Sequence, residues 1–120
     1  MTRHAGVPVL RLTLRIDTEK GRWLGPGKIR LLEAIAAHGS IAAAGRTMGL
    51  SYRRAWSLVE AIGESLGRPV VTARPGGAGG GGASLTEAGS ALVDCYRRLE
   101  SDAQAATNVT LARLAELIAR

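Results

Sequence analysis

The stretch GSIAAAGRTMGLSYRRAW, running from Gly39 to Trp56, decides the fold. Gly39 is a natural C-terminal stop for a preceding helix, and Ser40 directly after it offers a hydroxyl to cap the next one. A short helix is predicted from about Ile41 to Met48. Gly49 ends it, and Ser51 is again a capping residue, starting a further helix from about Tyr52 to Leu66 that Gly67-Arg68-Pro69 closes. Two helices parted only by Gly49-Leu50-Ser51 form a helix-turn-helix. With Tyr52 at zero and about 100° per residue, Ala55, Leu58, Val59, Ile62 and Leu66 cluster on one face, while Arg53 and Ser57 lie opposite. One face is for the core and the other for something outside it.

Upstream, Pro26 suits a first helical position, where its missing N–H costs nothing. Ile29, Leu32, Ile35 and Ala36 then recur at helical spacing, which predicts a helix over Pro26 to His38. Before it, Leu10, Leu12, Leu14 and Ile16 alternate with Arg11, Thr13 and Arg15, the pattern of a half-buried strand over residues 9–16. Lys20-Gly21 is the expected turn, with Trp23-Leu24 returning toward the core.

Downstream, Val70, Val71 and Thr72 form a β-branched run, followed by Arg74-Pro75 and six glycines between Gly76 and Gly82. The segment 69–85 therefore predicts a hairpin with a long, mobile tip. Thr86 caps a last helical region over 86–119, in which Leu85, Leu92 and Leu99 recur every seven residues with Tyr96 and Ala103 between them. That stripe, Leu92, Tyr96, Leu99 and Ala103, asks for a partner helix and predicts a homodimer. Ala106 to Thr110 is rich in β-branched residues and Asn, so a weakening or break is expected there.

The composition agrees with such an arrangement. The 120 residues are 46% hydrophobic but only 3% aromatic, with no Phe, so the core is built from Leu, Ile, Val and Ala as in packed helices. One domain over residues 1–120 is expected, mainly α with a small β-sheet. The net charge of +6 is uneven: residues 1–85 carry 12 Lys or Arg against 5 acids, and residues 86–120 carry 4 against 5. A basic half suits a polyanion, and a balanced half suits another task. Cys95 is the single cysteine, so a disulfide within the chain and a cysteine metal cluster are both excluded. Lying between Val93 and Tyr96, it is expected to be a buried, inert thiol. His4 and His38 lack neighbouring ligands at metal spacing, so no metal site and no cofactor are expected. No paired carboxylates, Ser/His/Asp or Cys/His grouping supports catalysis, and the expectation is a protein that is not an enzyme. Arg11 and Arg15 interrupt any signal-peptide-like run, and no stretch is apolar enough to span a bilayer. A cytoplasmic protein without a membrane partner is expected.

The order strand, helix, helix, turn, helix, hairpin, long helix is that of a winged helix-turn-helix. The major groove of B-DNA, about 12 Å wide, admits one helix whose N-terminal residues reach base edges while the helix before it rests on the backbone. The helix from Tyr52 is the candidate. Candidate contacts to double-stranded DNA are Ser40, Ser51, Tyr52, Arg53, Arg54, Ser57 and, at the base of the hairpin, Arg74. Arg53 ranks first, because it points outward and its fork matches guanine O6 and N7. Trp56, on the flank, is read as structural. The glycine run lacks the Lys-Ser or Lys-Thr of a phosphate-binding loop, so it is read as a wing tip.

The stretch GPGKIRLLEAIAAHGSIAAAGRTMGLSYRRAWSLVEAIGESLGRPVV, with ASLTEAGSALVDCYRRLE after the glycine-rich insert, resembles the N-terminal DNA-binding domain of the ModE family of molybdate-responsive transcription regulators. The likeness covers roughly residues 8–100. Its most telling parts are the helix-turn-helix ending in a Ser-Tyr…Ala-Trp helix and the Leu-Thr-Glu-Ala-Gly at 85–89, a combination also found in LysR-type regulators. The resemblance implies a winged helix whose flanking helices dimerise, with DNA read by the helix that starts at Ser51. It also implies a link to molybdenum-related genes. Full-length ModE regulators carry C-terminal oxyanion-binding domains; the sequence reaches Arg120 without one, so molybdate is not expected to bind this chain alone. Two other readings stay open: a winged-helix protein-interaction module without DNA binding, and an oxyanion-binding carrier using the glycine loop.

Overall fold

The computed structural model describes residue 6 and residues 8–74 and 81–119. Two short antiparallel hairpins frame four helices. In chain order these are β1 (Ile16–Thr18), β2 (Gly21–Leu24), α1 (Pro26–His38), α2 (Ile41–Thr47), α3 (Tyr52–Leu66), β3 (Val71–Arg74), β4 (Gly82–Leu85) and α4 (Glu87–Ala119). This is a winged helix-turn-helix: mainly α, with the β3–β4 pair as the wing and α4 running on beyond it. The expected tip falls largely on residues 75–80, which lie outside the described residues.

The helix boundaries follow from local chemistry. Pro26 opens α1 at its first turn, and Gly39 closes it in a left-handed conformation (φ 71°), its N–H donating to the Ile35 carbonyl. The Ser40 Oγ accepts from the Ala43 N–H at 3.0 Å, and the Ser51 Oγ from that of Arg54 at 3.0 Å, so each hydroxyl satisfies one orphan donor of its helix. Within α2, a Cβ on Gly45 would stand 3.2 Å from the Leu50 carbonyl oxygen and 3.4 Å from the Ala55 Cβ, so the bare Cα lets α2 and α3 cross closely. The core gathers Leu24, Ile29, Leu31, Leu32, Ile35, Ala55, Ile62, Val70, Leu92 and Tyr96. Trp23 donates its indole N–H to the Ile62 carbonyl at 3.2 Å, pinning β2 against α3.

The wing is fixed at its base. Ala83 donates to the Gly39 carbonyl at 2.8 Å, tying β4 to the end of α1, and Thr86 donates to the Val70 carbonyl at 2.9 Å. The Thr86 hydroxyl accepts from the Gly89 N–H at 3.0 Å as the cap of α4, and itself donates to the Pro69 carbonyl at 2.8 Å. A Cβ on Gly89 would stand 2.1 Å from the Val70 carbonyl oxygen. The glycine of Leu-Thr-Glu-Ala-Gly is therefore a packing requirement: only a bare Cα lets α4 start against the wing.

Four expectations need correction. The first strand does not occupy residues 9–16; the paired strand is β1 at Ile16–Thr18, with Ile16 opposite Leu24. Residues 8–15 do alternate between half-buried and exposed, but alternation reports one-sided burial and not a ladder partner. The turn is Glu19-Lys20, and Gly21, at φ 123°, already begins β2. No break interrupts Ala106 to Thr110, because α4 is continuous over 33 residues. The Thr107 hydroxyl donates to the Ala103 carbonyl one turn back at 2.7 Å, satisfying itself within the helix. Cys95 is exposed, not buried. With Leu92, Val93 and Tyr96 turned inward, the helical repeat sends Cys95 to the outside.

Candidate nucleic-acid interface

The N-terminal turn of α3 is presented to solvent. Its apolar side, Ala55, Val59, Ile62 and Gly63, is buried, so the opposite positions are forced outward. Ser51, Arg53, Arg54 and Ser57 are exposed and Tyr52 is 57% exposed. Trp56 is partly buried against the core, as read from the sequence.

The chain brings three of the candidate residues into one place. A cleft of about 230 Å³ is lined by Ser40 at the cap of α2, Tyr52 at the start of α3 and Arg74 at the end of β3, with Gly82 as part of its wall. The Arg74 guanidinium lies against Gly82, where a Cβ would come within 2.7 Å of Nη2. Among the described residues, no carboxylate lines the cleft. Arg53, Arg54 and Ser57 do not line it and face outward from α3 beside it. Among the described residues, none of Arg53, Arg54 and Arg74 forms a salt bridge; the ion pairs are made by Arg15, Arg97 and Arg98. Three guanidinium groups are thus left uncompensated around the turn and the wing, a field that attracts a polyanion. Arg46, exposed in the last turn of α2 and likewise outside any such ion pair, was not singled out from the sequence. The available signal was its place on the helix that lies across the backbone in this motif.

The expected dimer stripe divides in two. Leu92 and Tyr96 are 7% and 1% exposed, within the core of their own chain, whereas Leu99 is 49% exposed and Ala103 half-buried. Tyr96 donates its hydroxyl to the Leu14 carbonyl at 2.6 Å, and burial is the main cause that pushes its phenol above the ordinary value. Beside it, Arg97 grips Glu33 of α1 with two hydrogen bonds, at 3.0 and 2.6 Å, and reaches Glu100 at 2.7 Å. The hydrogen bond from Arg97 holds the Glu33 carboxyl below its ordinary range, and Arg97 is held above its own. This pair locks α4 to α1. Beyond it, Leu114, Leu117 and Ile118 are exposed on α4.

Among the described residues no group of three or more His, Cys, Asp or Glu gathers as a metal site, and no helix is long and apolar enough to cross a membrane.

Comparison with known proteins agrees with this geometry. Residues 27–90 match the family of bacterial regulatory helix-turn-helix proteins of the lysR type. The chain is 49% identical over 81 residues to the molybdenum-pterin-binding protein MopB of Rhodobacter capsulatus, covering 68% of this chain and 30% of that protein. It is 38% identical over 104 residues to the molybdenum transport protein ModE of Azotobacter vinelandii, covering 87% and 38%. Against the DNA-binding transcriptional dual regulator ModE of Escherichia coli K12 it is 35% identical over 98 residues, covering 82% and 37%. The chain spans about a third of the length of these curated relatives. Among solved structures, the CbnR DNA-binding domain in complex with DNA superposes with a TM-score of 0.57 at 24% identity, covering 72% of this chain and 94% of that one, a likeness of fold. The chain belongs to the bacterial regulatory helix-turn-helix proteins of the lysR family, in the form resembling the ModE DNA-binding domain.

Proposed function

We propose that the chain is a DNA-binding transcription regulator that acts as a homodimer, reading base edges with the N-terminal turn of α3 in the context of molybdenum-related genes. The observation that carries this reading is the meeting of Ser40, Tyr52 and Arg74 in one acid-free cleft beside the outward Arg53 and Arg54. The cleft suits a backbone phosphate held by the wing and the cap of α2, with Arg53 beside it directed at a base. The names of the ModE relatives support both DNA and molybdenum as the context.

Support for the homodimer comes from α4. The radius of gyration is 18.0 Å and the extents are 60 × 34 × 21 Å, whereas a compact chain of this length has a radius near 14 Å. The excess is a projecting helix, whose exposed Leu99, Leu114, Leu117 and Ile118 offer an apolar face to a second copy. Two domains related by a twofold axis reach half-sites about 34 Å apart, which one small domain cannot do.

A salt titration with duplex DNA tests the core of the proposal, since each neutralised phosphate releases counterions and affinity should fall steeply with salt. No binding at low salt overturns it. Arg53→Ala should cost about 1–3 kcal/mol on a cognate site and relax preference at one base pair, whereas Arg74→Ala should weaken all sequences alike. Equal, sequence-independent losses would reduce Arg53 to a phosphate contact.

A further inference from the structure

The side chains of the segment Pro8 to Arg15 alternate between half-buried and exposed, the periodicity of a strand, yet the segment belongs to no sheet. Among the described residues, no backbone group from Val9 to Leu14 takes part in a backbone–backbone hydrogen bond. Leu14 uses its carbonyl on the Tyr96 hydroxyl instead. The register explains why the chain itself supplies no partner. Ile16 lies opposite Leu24, and two residues later Pro26 turns the chain into α1, so the neighbouring strand runs out where residues 8–15 would need it. A strand of this kind presents a row of open donors and acceptors along its edge.

We infer that Pro8–Ile16 pairs antiparallel with the same segment of a second copy, in the register that sets Leu12 opposite Leu12, so that a two-stranded ribbon crosses the twofold axis of the dimer. The inference rests on the homodimer proposed above and assigns it a second element besides α4. Three observations argue for a second copy as the occupant and for this register over those centred on Thr13 or Arg11. Antiparallel self-pairing about Leu12 sets Leu10 opposite Leu14 and keeps every half-buried side chain of both copies on one face. It also sets Arg11 opposite Thr13 and Arg15 opposite Val9. Moving the centre to Thr13 would oppose Arg11 and Arg15, and moving it to Arg11 would oppose Arg11 to itself, both like-charge pairs that destabilise a ladder. Arg15 is moreover already neutralised by Asp17 at 3.0 Å. Finally, the segment lies on α4: Pro8 and Leu10 line a cleft of about 400 Å³ together with Asn108, Leu111 and Ala115 of that helix. The ribbon would therefore be continuous with the helix whose apolar stripe supports the dimer, and Val9, 75% exposed in the single chain, would gain a cross-strand neighbour in Arg15.

Amide hydrogen exchange of residues 9–15, followed at protein concentrations below and above dimer formation, tests this directly. Alternate amides should gain protection of roughly tenfold or more in the dimer alone, as ladder hydrogen bonds form. Leu12→Pro and Thr13→Pro complete the test, because adjacent positions cover both pairing classes of an antiparallel ladder. In the single chain these amides make no backbone hydrogen bond, so circular dichroism should stay unchanged. At least one of the two variants should weaken dimerisation by about tenfold, and more than the packing control Leu12→Ala. Equal exchange in dimer and monomer, protection already present in the monomer, or dimers indifferent to both prolines each overturn the inference while leaving the α4 dimer standing. A wild-type chain that light scattering finds monomeric at every concentration removes both together.

Discussion

The helix-turn-helix with its wing and the far half of α4 are built from the same kinds of residue but meet opposite fates. In the first region Ile29, Leu31, Leu32, Ile35, Ala55 and Ile62 are all fully enclosed by their own chain. In the second, Val109 is 84% exposed and Leu114, Leu117 and Ile118 about half exposed. One helix crosses from one regime to the other: α4 sends Leu92, Val93 and Tyr96 into the core and, from Leu99 onward, exposes Leu99, Val109, Leu114, Leu117 and Ile118, while Leu111 stays half-buried and the small Ala115 is buried. The difference teaches that hydrophobic periodicity alone does not name the partner. The change from enclosed to exposed large side chains falls between Tyr96 and Leu99, beside the Arg97–Glu33 lock.

The hardest blow to the first region should be Gly89→Ala. Its new methyl would overlap the Val70 carbonyl, so α4 must lift from the wing. The expected cost is about 3 kcal/mol or more, enough to show as a large drop in melting temperature or a failure to fold. Gly27→Ala is the matched control: a Cβ there meets nothing within 4 Å, and the same added methyl should be neutral or stabilising by up to about 1 kcal/mol.

The comparison itself is broken or sharpened by aspartate on either side of the boundary. Leu92→Asp buries a charge without a partner and should unfold the chain. Leu99→Asp combined with Leu114→Asp should leave the circular dichroism spectrum intact but give a monomer with much weaker binding to a palindromic site. If the second variant also unfolds, or remains dimeric, the division between the two regions is wrong.

The smallest expected effect concerns the lock. Arg97→Ala should cost about 1 kcal/mol, since both side chains are more than a third exposed and solvent screens the pair. It should also change the acid response. Because the folded state lowers the Glu33 pKa, the associated stability is present above the ordinary carboxylate range and fades as pH falls through the lowered value. Urea titrations at neutral and acid pH should therefore show wild type and variant converging in acid.

What the sequence revealed was whatever depends on neighbours along the chain. Ser40, Ser51 and Gly39 announce helix ends because a cap acts within a few residues, and α1, α2 and α3 accordingly fall within a residue of their expected limits. What stayed hidden depends on the third dimension. The heptad spacing of Leu92 and Leu99 is real, but whether each meets its own chain or another depends on where α1 and the wing end. The alternation over Leu10, Leu12 and Leu14 shows a buried side and not a ladder. Likewise Ser40, Tyr52 and Arg74 were named separately, and nothing in their spacing tells that they share one cleft.

The double use of Thr86 has a mechanical consequence. With its hydroxyl bonded both to Pro69 and to Gly89, the pivot of α4 and the root of the wing are one rigid joint. At 1.5 Å per residue, the 33 residues of α4 form a lever arm of roughly 50 Å. One degree of rotation at the joint therefore sweeps the far end by nearly an ångström. Read in reverse, a shift of several ångströms at the far end of α4 would arrive at the wing as only a few degrees of tilt. Such a transmission gears coarse movement at the helix end down to small rotations of the wing.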